Sequence, residues 1–230
     1  MRAATAIRQQ ELTDGQSLWV QEVFYTLQGE GPFTGQPALF VRLSGCNLSC
    51  FWCDTDFESS KWKPQLDELL ATIAQLRPEH CRLVVITGGE PFRQNIVPLV
   101  QQLLAQNLTV QIETNGTLWL DLPEHDRLHI ICSPKTARIN AEIERRASTF
   151  KYVIASGQSD QTDGLPIMST QKERMACRLA RPPRHASVYI MPLDAQDAGK
   201  NAENTRACID IAKKHGYTLT LQTHKLAGFQ

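Results

Sequence analysis

Three of the chain's seven cysteines, Cys46, Cys50 and Cys53, stand in the spacing C-x3-C-x2-C between Ser44 and Thr55. Three thiolates can hold three irons of a 4Fe-4S cluster and leave the fourth iron open to a ligand that is not protein. A structural zinc is the plainer reading of clustered cysteines, but it takes four donors. Cys81, Cys132, Cys177 and Cys208 are scattered singly, and no His lies near the triad. Disulfides are disfavoured by the odd count and by the want of a hydrophobic signal core in the first 17 residues. A non-catalytic iron-sulfur or zinc module therefore stands beside the open-cluster reading. Further along, the run from Arg82 to Pro91 is β-branched and apolar and ends in Gly88-Gly-Glu-Pro91. It reads as a buried parallel strand delivering a loop whose backbone can approach a ligand closely, with the Glu90 carboxylate beside it. Ser133 and Lys135 sit at another strand end, where a hydroxyl and an ammonium suit a ribose or a carboxylate; the alternative is a solvated surface lysine. Arg42 interrupts the apolar run Ala38 to Leu43 and so requires an anionic partner, either a ligand or an internal Glu30 or Asp54.

Apolar runs predict strands at Leu18 to Leu27, Ala38 to Leu43, Arg82 to Thr87, Leu108 to Thr114, Leu128 to Cys132, Phe150 to Ala155, Ser187 to Met191 and Tyr217 to Gln222. Helical patterns cover Gln65 to Leu76, Gln94 to Gln106, Thr170 to Ala180 and Ala202 to His215. Strands alternating with helices argue for an α/β fold with a parallel sheet and right-handed crossovers. A closed eight-fold barrel typically takes about 250 residues, so a shortened, open, TIM-like β/α barrel fits better. The Pro-containing connection from Gly116 to Arg127 looks too short for a full helix. In such a frame Cys46, Gly88, Asn115, Ser133 and Met191 to Asp194 each follow a strand and share one face.

Residues 1–17 read as a polar tail, poorly ordered to Gly15, and 18–230 as a single domain. Lys and Arg number 24 against 24 Asp and Glu, so no overall field favours a nucleic-acid partner. No apolar stretch reaches the roughly 18 to 20 residues of a membrane span. A cytoplasmic setting, where thiols stay reduced, is expected.

The cysteine loop and the Gly-Gly-Glu-Pro loop together resemble the signature of the radical S-adenosylmethionine (radical SAM) superfamily. Six segments sharpen the likeness: Phe24-Tyr-Thr-Leu-Gln-Gly-Glu-Gly31, Cys53-Asp-Thr-Asp56, Thr87-Gly-Gly-Glu-Pro91, Ile112-Glu-Thr-Asn-Gly116, Ser133-Pro-Lys135 and Leu221-Gln-Thr-His-Lys225. Together they resemble the 7-carboxy-7-deazaguanine synthase family, from about residue 19 to the last. The resemblance implies a cluster on Cys46, Cys50 and Cys53, whose open iron chelates S-adenosylmethionine. It places Trp52, Cys53, Asp54, Gly89, Ser133, Pro134, Lys135, Met191, Pro192, Leu193 and Asp194 against that cofactor. Met191-Pro192 falls where the family often has Gln-Pro, so the first side chain's contact differs. Phe51 and Trp52 would limit water near the thiolates; for Phe51, ordinary core packing is an equal alternative.

For the substrate the resemblance implies 6-carboxy-5,6,7,8-tetrahydropterin, held by Leu27, Gln28, Gly29, Arg42 and Thr87 and by the terminal carboxylate of Gln230, where Pro or Ala is more usual. Thr55 is implied as a Mg2+ ligand, although a Thr after Asp is elsewhere a turn former. Asp56 and Glu113 are weaker candidates, and His224 either supports the pocket or is structural. A deoxyadenosyl radical would abstract the pterin C6 hydrogen, and the ring would contract with loss of ammonia. A flavodoxin or ferredoxin-like electron donor and a homodimer are implied as partners. A glycyl-radical-activating enzyme shares the cysteine and glycine motifs but needs neither Gln28-Gly-Glu-Gly31 nor Gln222-Thr-His-Lys225.

Overall fold

Strands whose two faces are both apolar must be covered on both sides, and the chain meets that demand by winding a curved sheet. The computed structural model describes residues 6–229. Its strands are β1 (Val20–Leu27), β2 (Pro37–Leu43), β3 (Leu83–Gly88), β4 (Thr109–Thr114), β5 (Leu128–Cys132), β6 (Thr149–Ile154), β7 (Ser187–Pro192) and β8 (Thr218–Leu219). The helices are α1 (Leu66–Leu76), α2 (Val97–Ala105), α3 (Ala141–Arg146), α4 (Ala198–His215) and α5 (Thr223–Ala227). The eight strands lie side by side in chain order from β1 to β8. Every neighbouring pair from β2 onward is parallel, whereas β1 runs antiparallel to β2. Sequential order with one-handed crossovers puts the helices on a single face and curls the sheet into an open, partial β/α barrel. The antiparallel β1 departs from an all-parallel sheet because the 28–36 connection is a tight turn, with Gln28 N donating to Gln36 O and Gly35 N to Gln28 O, both at 2.8 Å.

The core fills the space between sheet and helices. Leu69 and Ile73 of α1 and Leu99, Val100 and Leu103 of α2 bury against Val84, Ile86, Val110 and Ile112. No helix among the described residues is long and apolar enough to cross a membrane.

Three expectations need correction. Residues 170–180 are not helical. Ser169 Oγ accepts from the backbone N of both Gln171 and Lys172 at 3.1 Å, as at the start of a helix, but Ser169 N donates to Met175 O and Cys177 N to Ile167 O, so the chain folds back on itself in place of continuing the turn. The short α3 and α5 lie where no helix was predicted; α3 starts where Asn140 caps Glu142 N at 2.9 Å. The polar N-terminal segment is held rather than loose over its described part. Arg8 N donates to Cys46 O, Glu11 N to Arg93 O, and the buried Arg93 guanidinium pairs with Glu11 at 2.6 Å. A buried arginine needs a carboxylate, and this segment supplies it.

Candidate active site

The strands from β2 to β7 deliver their C-terminal ends to one rim, where a cavity of about 610 Å³ opens. Two of the rim loops interlock. Gly89 N donates to Leu43 O at 3.3 Å and Glu90 N to Gly45 O at 3.0 Å, so the glycine loop lies directly on the turn that begins the cysteine loop. A Cβ on Gly89 would stand 2.8 Å from Cys46 Cβ, and one on Gly88, at φ 151°, 2.8 Å from Leu43 N. The glycines are therefore required first by the neighbouring loop. Glu90 faces inward: its carboxylate accepts from Phe92 N at 3.0 Å, Thr114 Oγ1 at 2.8 Å and Asn115 N at 2.7 Å. Burial pushes this carboxyl up to about 7 against the pull of those three donors. Glu90 thus couples the β3 loop to the β4 loop.

Cys46, Cys50 and Cys53 all line the cavity as free thiols. Burial pushes Cys46 up to about 12, and the charges of Glu90, Cys50 and Cys53 push the same way. No group of three or more His, Cys, Asp or Glu among the described residues is close enough to hold a single metal ion. Separate sulfurs on one cavity wall suit a multi-iron cluster, whose cysteines ligate different irons. Trp52 lines the same wall, with Lys135 Nζ 5.6 Å from its ring centre. Phe51 is 49% exposed, so it does not pack in the core.

The cavity floor is charged. Lys151 on β6 donates to Glu30 at 2.8 Å and lies 3.0 Å from Glu113, with all three side chains largely withdrawn from solvent. Burial alone would lower the lysine's pKa, but the two carboxylates outweigh it and hold it above the ordinary range. Burial raises Glu30, yet the lysine and the Gln222 amide outweigh it and bring the carboxyl down to about 2. Sequence reasoning weighed Glu30 only as an ion-pair partner for Arg42 and passed over Lys151. The signal was available, since Lys151 interrupts an apolar strand as Arg42 does. Arg42 pairs with neither Glu30 nor Asp54; its Nε donates to Glu22 at 2.7 Å, the residue opposite it on β1. In the next register Arg42 faces Thr87 on β3.

The other expected residues gather round this floor. Leu27, Gln28 and Gly29 line one edge, where His224 closes over Gly29 so tightly that no Cβ would fit there. Opposite, Lys135 is no surface lysine: it donates to Ser133 O at 2.8 Å and Ser133 Oγ at 2.6 Å, and burial lowers its pKa. Met191 and Pro192 end β7, Leu193 and Asp194 follow it, and all four line the same cavity. Lys225, not foreseen, bridges Asp54 at 2.6 Å and Asp194 at 2.9 Å, and its hydrogen bond brings Asp194 down to about 2. Thr55 lines the cavity with its hydroxyl 3.3 Å from Asp54 Oδ1. Pro134 lines a smaller neighbouring cavity of about 90 Å³. Gln230 lies outside the described residues.

An open β/α barrel carrying this cysteine loop and glycine loop on its rim is a radical SAM enzyme by design, and residues 40–175 match the Radical SAM superfamily. Membership implies a 4Fe-4S cluster and S-adenosylmethionine. The chain is 56% identical over 218 residues to the 7-carboxy-7-deazaguanine synthase of Rhodospirillum rubrum, with 93% of each chain covered. It is 37% identical to that of Rickettsia prowazekii, covering 94% of this chain and 91% of the other. The crystal structure of QueE from Escherichia coli shares the fold with a TM-score of 0.67 at 24% identity, covering 92% of this chain and 99% of that one. The chain belongs to the 7-carboxy-7-deazaguanine synthase family.

Proposed function

We propose that the chain converts 6-carboxy-5,6,7,8-tetrahydropterin to 7-carboxy-7-deazaguanine with release of ammonia, in 7-deazapurine and queuosine biosynthesis. The observation that carries this reading beyond kinship is the meeting of the two distant segments at the cavity. Gln222 Nε2 donates to Glu30 at 3.0 Å, and Thr223 donates to Gly29 O through N at 3.1 Å and Oγ1 at 3.0 Å. A glycyl-radical-activating enzyme has no use for this seam, because its substrate is a protein segment that needs an open approach. The seam instead lines one side of a cavity whose volume suits a nucleoside cofactor beside a small bicyclic substrate.

When bound, the cluster and S-adenosylmethionine supply one-electron, hydrogen-abstracting chemistry, and the chain's own residues supply position. Cys46, Cys50 and Cys53 would hold the cluster; Trp52, Asp54, Gly89, Ser133, Pro134, Lys135 and Met191 to Asp194 would hold S-adenosylmethionine. Arg42 and Thr87, side by side on β2 and β3, face the substrate end with Leu27, Gln28 and Gly29. Lys151 stays cationic between two carboxylates, so it orients rather than shuttles a proton. Glu30 stays anionic, and its carboxylate and that of Glu113 can accept from ring N–H groups. We assign Mg2+ to Thr55, a substrate contact to Gln230, reduction to a flavodoxin or ferredoxin-like carrier, and the assembly to a homodimer, all on the family pattern.

The test is incubation of reconstituted protein with the carboxy-pterin, S-adenosylmethionine, Mg2+ and a reductant, with mass detection of the deazapurine acid. An intact cluster with no turnover would overturn the substrate assignment. Replacement of Cys50 by Ala should abolish both the cluster absorbance and the product.

A further inference from the structure

We infer that Gln171, on the segment first read as a helix, is a positioning residue for the iron-sulfur cluster that donates a hydrogen bond to the cluster sulfur of Cys50 and clamps the cysteine loop. The inference rests on the reading of Cys46, Cys50 and Cys53 as cluster ligands. Gln171 Nε2 lies 3.0 Å from Cys50 Sγ across 121 positions of sequence, and its other proton goes to Thr170 Oγ1 at 2.6 Å. Its Oε1 accepts from Ser49 N at 2.9 Å. That contact settles which end of the amide is which: a backbone N–H can face only the oxygen, so the amide nitrogen must face the sulfur.

The clamp extends one residue each way. Phe51 N donates to Thr170 O at 3.1 Å, and Thr170 Oγ1 donates to Lys135 O at 3.0 Å. Successive loop residues 49, 50 and 51 are therefore held by two residues of a distant segment. That segment is itself fixed, since Ser169 and Thr170 are buried and Ser169 Oγ accepts from the two following backbone N–H groups.

The electronic consequence follows from the donor. Cys50 Sγ lies 3.4 Å from Thr170 Oγ1 as a thiol donor, and on ligation that proton is lost. The sulfur becomes an acceptor only, and the Gln171 N–H is already aimed at it. Hydrogen bonds to cluster sulfurs stabilise the reduced, more negative state and raise the reduction potential. Gln171 thereby makes the cluster easier to reduce while holding its loop in place.

The test is Gln171→Met, which keeps length and neutrality but removes donor and acceptor together. In reconstituted protein without substrate, an EPR-monitored redox titration should show the Q171M cluster at a more negative potential than wild type. A chelator should strip its iron roughly several-fold faster. An unmoved potential in Q171M with full iron content overturns the inference. Should Q171M hold no cluster, pulsed EPR on the reduced wild-type cluster with 15N-labelled glutamine side chains decides: coupling to a side-chain nitrogen supports the inference and its absence overturns it. A wild-type chain that assembles no cluster overturns the ligand reading, and this inference with it.

Discussion

Lys151 and its two carboxylates show how a single residue can organise one side of the cavity. One buried ammonium neutralises part of two buried anions, and each anion finds a second donor, Gln222 for Glu30 at 3.0 Å and Gln111 for Glu113 at 2.6 Å. Removing the cation would strand both carboxylates in a poorly solvated place. Lys151→Met should therefore destabilise the apoprotein by roughly 3 to 5 kcal/mol, read as a lower urea midpoint, and should abolish turnover. The same triad sets an acid limit. Glu30 is depressed from its ordinary value of 4.5 to about 2, so its contribution to stability is complete above 4.5 and lost as pH falls toward 2. Apoprotein carrying Glu30→Gln should show a flatter stability profile through that window than wild type, as measured by thermal melts at stepped pH.

Among the elements, the β3 loop matters because it supports a neighbour. The Gly89 backbone sits where any side chain would meet Gly45 and Cys46, both parts of the cysteine loop. The Gly89→Ala variant should stay folded at a cost of about 1 to 3 kcal/mol from overpacking, yet displace Cys46 and lose most of its reconstituted iron. Iron assay beside circular dichroism separates the two effects; full iron content in the variant would refute the interlock. Segment 169–171 teaches the complementary lesson. Its composition permits a helix, but Ser169 N bonds forward to Met175 O, and Thr170 and Gln171 reach the distant Lys135 O and Cys50 Sγ. Tertiary hydrogen bonding overrides a weak local propensity there.

For the molecule as a whole, the important fact is an open sheet closed at one corner. β1 and β8 are the two edges of the sheet, and the loop after β1 meets the segment after β8 at the rim. There Gly31 N donates to Thr220 Oγ1 at 2.9 Å, Thr223 bonds Gly29, and Lys225 ties Asp54 to Asp194. α5 buries none of its residues, so this C-terminal segment shapes the site without supplying core. Deleting residues 222–230 should leave far-UV circular dichroism and cluster loading near wild type. It should reduce kcat/KM for the pterin by roughly 100-fold, because the groups it positions lose their geometry.

Much of this was legible in one dimension. Cysteine spacing and the glycine loop are local patterns whose chemistry follows from residue type, and strands bounded by turn residues announce themselves by their apolar runs. Arg42 was visible as a charge inside a strand, and so in principle was Lys151. Their partners were not, because Glu22, Glu30 and Glu113 reach them through strand pairing and curvature, which depend on every crossover at once. Gln171 was further out of sight: its worth comes from a sulfur 121 positions away and from a turn that forgoes a helix. Short-range spacing names the ligands of the reactive centre, whereas the folded chain chooses which distant amides and carboxylates surround it, since hydrogen-bond partners are set by proximity in space and not along the sequence.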